Sequence, residues 1–275
     1  SRQTAATRDH RLKRISRMIT NDRDPLYVGY HAKAAAPIAR GVRRRLLVLG
    51  LFVVGSAVLL ASAQRRAEPG VFEYGHPRSL HGQISEFPYP SLLVPGPGPT
   101  DREAVYTRYL LVAEGKHGGQ SLVDGLDRQW VNLRGTRIAR PGREMLEVPA
   151  GGATVTPPAA TVPLGIPVPP SQRVGRLTLE GEIVDSKCWL GVMRPATGNV
   201  HRGCASRCLS GGIPPLLMTI DSAGIASHYL LTDAEGHPAH ARFAELVGRR
   251  VRLTGEVWRE GDLNLLRVEE MAGVW

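Results

Sequence analysis

The chain has 275 residues, enough for two ordinary domains, and a formal net charge of +10 at pH 7. Residues 1–45 alone carry a net charge of +9, so the rest of the chain is almost neutral. A nucleic-acid-binding domain would carry its charge on a folded surface, and this distribution excludes such a domain as the source of the basic charge.

The first predicted elements are a basic cytoplasmic tail over residues 1–45 and a single transmembrane helix over residues 46–64. Eighteen residues of the second segment, "LLVLGLFVVGSAVLLASA", carry no charge. At about 1.5 Å per residue they nearly cross the hydrocarbon core of a bilayer. A buried core helix would show a polar face along such a length.

The charges that flank this span predict its orientation. Arginines are denser on its N-terminal side, and the positive-inside rule then places the N-terminus in the bacterial cytoplasm and the C-terminal domains in the periplasm. The same charges favour contact with anionic lipid. The tail also mixes aromatic residues with Ala and Pro, which predicts docking on other membrane-protein subunits. The candidate partner-binding residues are Arg40, Arg43, Arg44, Arg45, Tyr27 and Tyr30.

Residues 149–170, "PAGGATVTPPAATVPLGIPVPP", contain seven prolines and no charge. No helix or central strand tolerates that density of proline, so we predict an extended linker. It would separate a domain over residues 71–148 from a second domain over residues 171–275.

The two predicted domains are related in sequence. Residues 109–148 align with residues 229–268 at a constant shift of 120 residues, and ten of the forty positions are identical. Upstream, "LHGQI" in the first domain matches "LEGEI" in the second. The chain is therefore predicted to contain two copies of one domain.

Each copy is predicted to be mainly β, in the order strand, strand, strand, short helix, strand, strand. The run "VRLTGEV" alternates apolar and polar residues as a half-buried strand does, and "ARFAELVG" before it has helical spacing and ends at Gly248. This order is typical of the five-stranded OB-like barrel. An SH3-like barrel is the alternative.

The copies differ between their first two strands, where the second copy has an insertion over residues 185–212. The insertion contains all three cysteines of the chain. Loops of OB folds at this position often bind ligands, which makes the insertion the candidate for a specialised role.

Two resemblances rest on these residues. The run G-x-I-x-D-x-x-C at 181–188, the C-x-x-x-C pair and the later "LVGRRVRLTGEV" resemble small exported bacterial β-barrel proteins. "YVGYHAKA", "FEYGHPR" and "HRGCASRCLSGGIPP" are similar to a family of membrane-anchored proteobacterial proteins. Both resemblances imply a barrel fold and export, and neither implies a reaction.

Three interpretations of the cysteines remain open. A disulfide from Cys188 to Cys204 or Cys208 would staple the loop in an oxidising compartment. Cys188, His201, Cys204 and Cys208 would instead supply a Cys₃His set for zinc or a soft copper site. Thiol–disulfide catalysis at Cys204 or Cys208 is the third.

The sequence shows no catalytic triad, no paired carboxylates and no nucleotide fingerprint, so we do not expect an enzyme. We expect a non-catalytic accessory subunit of a photosynthetic or respiratory membrane complex. The alternative is a membrane-anchored metal-binding or thiol-redox factor that uses the cysteine cluster.

Overall fold

The computed structural model describes residues 36–64, 70–96, 105–155, 171–221 and 226–273. They belong to two compact units, Ser1–Ala67 and Glu68–Trp275.

The first unit contains one long helix, α1 (Ala36–Gln64). It begins well before the predicted span because Pro37 is tolerated in a first turn and no other proline follows within the helix. Arg40, Arg43, Arg44 and Arg45 are therefore exposed helical residues and not part of an irregular tail. Within the described residues, this is the one helix long and apolar enough to cross a membrane, with a mean hydropathy of 2.2 over its most apolar window.

The second unit consists of two β-barrel-like sheets, so the prediction of a mainly β protein is confirmed. The first barrel contains β1 (Val71–Phe72), β2 (Arg78–Ser85), β3 (Ser91–Gly96), β4 (Val105–Ala113), the short helix α2 (Gln120–Val123), β5 (Trp130–Arg140), β6 (Arg143–Val148) and β7 (Ala153–Val155). Strands β2, β3, β4, β6 and β5 are neighbours in that order, and β5 returns to β2.

The second barrel contains β8 (Gln172–Asp185), an irregular helical turn (Cys188–Val192), α3 (Gly198–Ser210), β9 (Pro215–Ile220), β10 (Ala226–Thr232), a 3₁₀ turn (His240–Phe243), β11 (Arg250–Glu260) and β12 (Leu263–Gly273). It closes in the order β8, β9, β10, β12, β11. The predicted helix before β11 is a 3₁₀ turn, and the segment ends at Gly248, whose φ of +72° favours glycine.

The two barrels have the same topology and register. Counted from β2 and from β8, the third strand of each barrel is parallel to the fifth: β4 to β6 in the first barrel and β10 to β12 in the second. All other closing pairs are antiparallel. Leu110 pairs with Met145 in the first barrel, and Leu230 pairs with Leu265 in the second. Both pairs of positions differ by 120 residues, which is the shift found in the sequence.

A shared hydrophobic core joins the barrels within this unit. Successive side chains of a strand point to opposite faces. Leu111 and Leu231 therefore fill their own barrels, whereas Leu110 and Leu230 belong to one cluster between them. The copies thus pack against each other through equivalent strands and are not separate domains joined only by a linker.

The predicted linker differs from the structure at its start. Residues 153–155 form β7, which pairs with β5 and extends the first sheet. This is possible because none of these three residues is a proline. Residues 156–170 of the predicted linker lie outside the part of the chain that the structure describes.

The connection between the first two long strands differs in length between the barrels. Residues 86–90 join β2 to β3 in the first barrel, whereas residues 186–214 join β8 to β9 in the second. Ala205 and Leu209 of α3 are buried in the core of the second barrel. The insertion is therefore a packed part of this barrel.

Candidate metal centre

Helix α3 places three of the predicted site residues on one face. Thr197 is extended just before its first turn, and the Glu182 carboxylate accepts the backbone N–H of Gly198 at 2.5 Å. His201 and Cys208 are buried, and Cys204 is half-buried. Residues at i, i+3 and i+7 share a helix face, so the local fold aligns their side chains.

Cys188 approaches this face from the irregular turn after β8. The sulfur atoms of Cys188, Cys204 and Cys208 all lie within 4.8 Å of one another. Cys188 is only 4% exposed and Cys208 only 1% exposed. The three sulfurs therefore form one cluster that is closed to solvent except at Cys204.

The predicted disulfide at Cys188 is wrong for this structure, in which all three cysteines are free. The sulfurs of Cys204 and Cys208 instead accept hydrogen bonds from Lys116. The backbone N–H of Cys188 donates to Asp185 Oδ1 at 2.8 Å, and the Lys116 ammonium donates to the Cys204 sulfur at 2.8 Å. The cluster is held together without an S–S bond.

His201 is not part of the three-sulfur cluster. Its Nε2 lies 2.8 Å from Oδ2 of the fully buried Asp185, whose Oδ1 accepts the backbone N–H of Cys188 at 2.8 Å. Asp185, Cys188 and His201 thus form a second group, which shares Cys188 with the first. The predicted four-ligand Cys₃His set is therefore divided into two adjoining triads.

Lys116 comes from the first barrel, in the loop that follows β4. Its Nζ donates to the sulfurs of Cys204 and Cys208 at 2.8 and 3.5 Å and to the carbonyl oxygen of Cys204 at 3.3 Å. The site is thus shared by the two barrels, although the first barrel has no cysteine.

These contacts change the acidity of the thiols. The hydrogen bond from Cys188 lowers the pKa of Cys208 to about 7, with a further contribution from Lys116, against the opposite effects of burial and of Asp185. The pKa of Cys188 is raised by its hydrogen bond to Cys208 and by burial. Of these two thiols, Cys208 is therefore the more acidic.

Lys187 fixes the loop that carries Lys116. Its ammonium is 3% exposed and donates to the carbonyl oxygens of Ala113 and Gly115 at 2.9 and 2.7 Å. It also forms an ion pair with Glu147 at 2.5 Å. A residue of the insertion thus holds the first barrel against the cysteine cluster.

Trp189 gives the insertion a second attachment to the first barrel. Its carbonyl oxygen accepts Arg140 Nε at 3.0 Å, and the Arg140 guanidinium lies 4.2 Å from the ring centroid. The other ring contact of Trp189 is with His228, at 4.1 Å between centroids.

His228 makes the stability of this contact sensitive to pH. Burial, helped by the positive charges of Arg143 and Arg140, lowers the pKa of His228 from 6.5 to about 4. The folded state therefore binds its proton less readily than the unfolded state, and stability is lost as pH falls from about 6.5 towards 4. We expect His228→Phe to remove about 2 kcal/mol of this loss, since partial exposure weakens the full effect.

The free energy of unfolding of the wild type and of His228→Phe should be measured at several pH values. Groups that titrate in both proteins cancel in the difference between them, so this difference reports on His228. The difference in free energy of unfolding between wild type and variant should change between about pH 6.5 and 4 and stay constant above pH 6.5. A constant difference over the whole range would contradict the assignment.

The predicted partner-binding arginines belong to the first unit. The four arginines are exposed on α1, and Arg40 Nε bonds to the carbonyl oxygen of Ala36 at 3.3 Å. Tyr27 and Tyr30 lie outside the described residues.

Sequence reasoning missed Lys116 and Lys187, and it gave Asp185 no role. Lys116 lies in the loop "EGKHGG", which has no metal- or phosphate-binding spacing. A usable signal was present in the repeat, because Gly236 occupies in the second copy the position of Lys116 in the first. A charged residue that is present in one copy and absent from the aligned position of the other therefore indicates a role specific to that copy.

The cluster has the chemistry of a soft metal site. Cysteine thiolates bind Zn²⁺ and Cu⁺ in preference to hard cations. Among the residues that the structure places, no fourth Cys, His, Asp or Glu joins the three sulfurs within the same separation. The arrangement offers three sulfur ligands to one ion.

Comparison with known proteins finds no matching family model and no matching curated sequence. The two resemblances described from the sequence stay predictions.

Proposed function

We propose that the protein is a metal-binding protein that holds one Zn²⁺ ion through the thiolates of Cys188, Cys204 and Cys208. The supporting observation is the convergence of the three sulfurs within 4.8 Å of one another in a buried site. Neighbouring thiolate ligands of one zinc ion lie about 4 Å apart, given Zn–S bonds of about 2.3 Å.

The charge of the site favours a divalent ion. Three thiolates, the Lys116 ammonium and the adjoining Asp185 carboxylate together carry three net negative charges, of which Zn²⁺ would compensate two and Cu⁺ only one. Cu⁺ would leave the larger net negative charge in a largely buried site, and uncompensated buried charge is unfavourable. Zinc is accordingly the first choice and copper the alternative.

The anchor and the fold extend this proposal. The apolar α1 would hold the protein in the bacterial inner membrane, with the N-terminus in the cytoplasm and the barrels in the periplasm. The arginines before the apolar segment support this orientation, and they would also contact anionic lipid. The strand order and the parallel pairing of the third and fifth strands support OB-like identity for both barrels.

The accessory-subunit role in a photosynthetic or respiratory complex stays a second proposal. The exposed apolar surface of α1 would serve contacts with other membrane subunits, as it would serve contacts with lipid. The cysteine cluster gives the metal-binding role the more specific support. Thiol-redox chemistry remains the competing use of the same sulfurs.

The test is the metal content of the full chain, purified in detergent under reducing conditions. We expect about one Zn²⁺ per chain in the wild type and a loss of more than about 100-fold in affinity when all three cysteines are changed to serine, because the thiolate ligands are gone. Ser206→Ala is the matched control on α3 and should bind like the wild type.

Competition between Zn²⁺ and Cu⁺, each added with a chelator of known affinity, checks the choice of ion. Equal metal content in the wild type and the triple serine variant would overturn the proposal. A metal-free wild type that forms a Cys188–Cys208 disulfide once the reductant is removed would also overturn it, in favour of redox chemistry.

A further inference from the structure

The Lys116 ammonium is held more firmly than a solvated loop lysine would be. It donates to three acceptor atoms of α3, two of them sulfur. Although burial lowers the pKa of Lys116, the hydrogen bond to Cys204 and the charge of Cys208 raise it, so the group stays an ammonium. Three donors against these acceptors satisfy its hydrogen-bonding capacity.

The backbone around Lys116 is docked on the C-terminal end of α3. The N–H of Gly118 donates to the carbonyl oxygen of Gly211 at 2.8 Å. A Cβ at Gly211 would lie 1.8 Å from the carbonyl oxygen of Lys116, so this approach requires glycine. This close contact between the loop after β4 and the end of α3 restricts the position of the Lys116 ammonium.

The loop itself does not need a lysine. A turn closed by the same bridge recurs in the second barrel, where Thr232 bridges Pro238 as Val112 bridges Gly118, although the glycine with positive φ is Gly115 in the first turn and Gly236 in the second. Gly236 occupies the position of Lys116 there, with a φ of +94°. The lysine is thus specific to the copy whose loop meets the cysteines.

We propose that Lys116 is a positioning residue of the metal centre, a counter-charge that the first barrel supplies to the cysteines of the second. Its N–H groups would donate to the metal-bound sulfurs of Cys204 and Cys208. The centre would then be complete only when the loop after β4 is docked on α3. This inference rests on the proposed metal binding.

The first experiment measures Zn²⁺ affinity of the full chain by competition with a chromophoric chelator. Lys116→Met keeps the length of the side chain and removes its charge, and we expect binding to weaken by about 10- to 100-fold, as for other partners of metal ligands. Lys116→Arg keeps the charge and should restore most of the affinity. The stoichiometry should be the same in all three proteins.

The second experiment moves the loop without changing any ligand or Lys116. Gly211→Ala would push the Lys116 backbone away and should weaken Zn²⁺ binding as Lys116→Met does. Gly203→Ala is the matched control on the same helix, since a Cβ there meets nothing within 4 Å. It should bind like the wild type.

The third readout is spectroscopic, with Co²⁺ as the probe. The energy of the sulfur-to-cobalt charge-transfer band at saturation should shift in Lys116→Met, because two sulfurs lose a hydrogen-bond donor. A merely structural lysine would leave the band of the bound ion in place.

The outcomes separate the two proposals. If the wild type binds Zn²⁺ and neither Lys116→Met nor Gly211→Ala changes the affinity or the band, the role of Lys116 is overturned while metal binding stands. If the wild type binds neither ion, the metal centre is overturned, and the role of Lys116 with it.

Discussion

Lys187→Met is expected to reduce the free energy of unfolding of the second unit by about 3 to 5 kcal/mol. The lysine is almost fully buried and bonds to Glu147 and to two carbonyl oxygens of the first barrel. Removing one partner of a buried ion pair leaves the other charge and the carbonyl groups uncompensated. The loss is large because these contacts join the insertion to the other barrel.

The measurement is a urea titration of the full chain in detergent, followed by tryptophan fluorescence. Arg207→Met is the matched control, since this residue is exposed on α3. It should change the free energy of unfolding by less than about 0.5 kcal/mol. A loss below about 1 kcal/mol for Lys187→Met would show that the ion pair does not hold the barrels together.

Asp185→Ala is expected to cost about 3 kcal/mol or more of stability. The fully buried carboxylate accepts the Cys188 N–H and bonds to His201, and alanine would leave both groups without their acceptor. Asp185→Asn keeps the volume and one acceptor oxygen, so it should be the milder change. The effect should reach the metal site, because Asp185 orients Cys188.

The first barrel provides the control for this substitution. Glu86 follows β2 as Asp185 ends β8, and its carboxylate accepts the N–H groups of Leu126 and Asp127 from a more exposed position. Glu86→Ala should therefore cost only about 1 kcal/mol. The assignment of Asp185 fails if its alanine variant is no less stable than Glu86→Ala.

The barrels could be predicted because their determinants are local or repeated. Alternation in "VRLTGEV" predicts β11, and the shift of 120 residues predicts the common topology that the registers of Leu110 and Leu230 confirm. The position of the insertion followed from comparing the copies. The helical spacing of His201, Cys204 and Cys208 likewise placed three side chains on one face.

The rest depended on contacts between the copies, which no local pattern encodes. Lys116 and Cys204 are 88 residues apart in sequence and come together only because equivalent strands pack against each other. His201 was predicted as a ligand from its spacing. In the structure its Nε2 is hydrogen-bonded to Asp185, which lies at the end of β8. The predicted disulfide at Cys188 is likewise absent, since all three cysteines are free.

The measurement that tests the metal centre most directly is X-ray absorption at the zinc edge, made on the full chain loaded with one equivalent of Zn²⁺. The three converging sulfurs predict a first coordination shell of three sulfur atoms at about 2.3 Å, with the remaining position filled by a lighter atom. A shell of nitrogen and oxygen atoms alone would contradict the site.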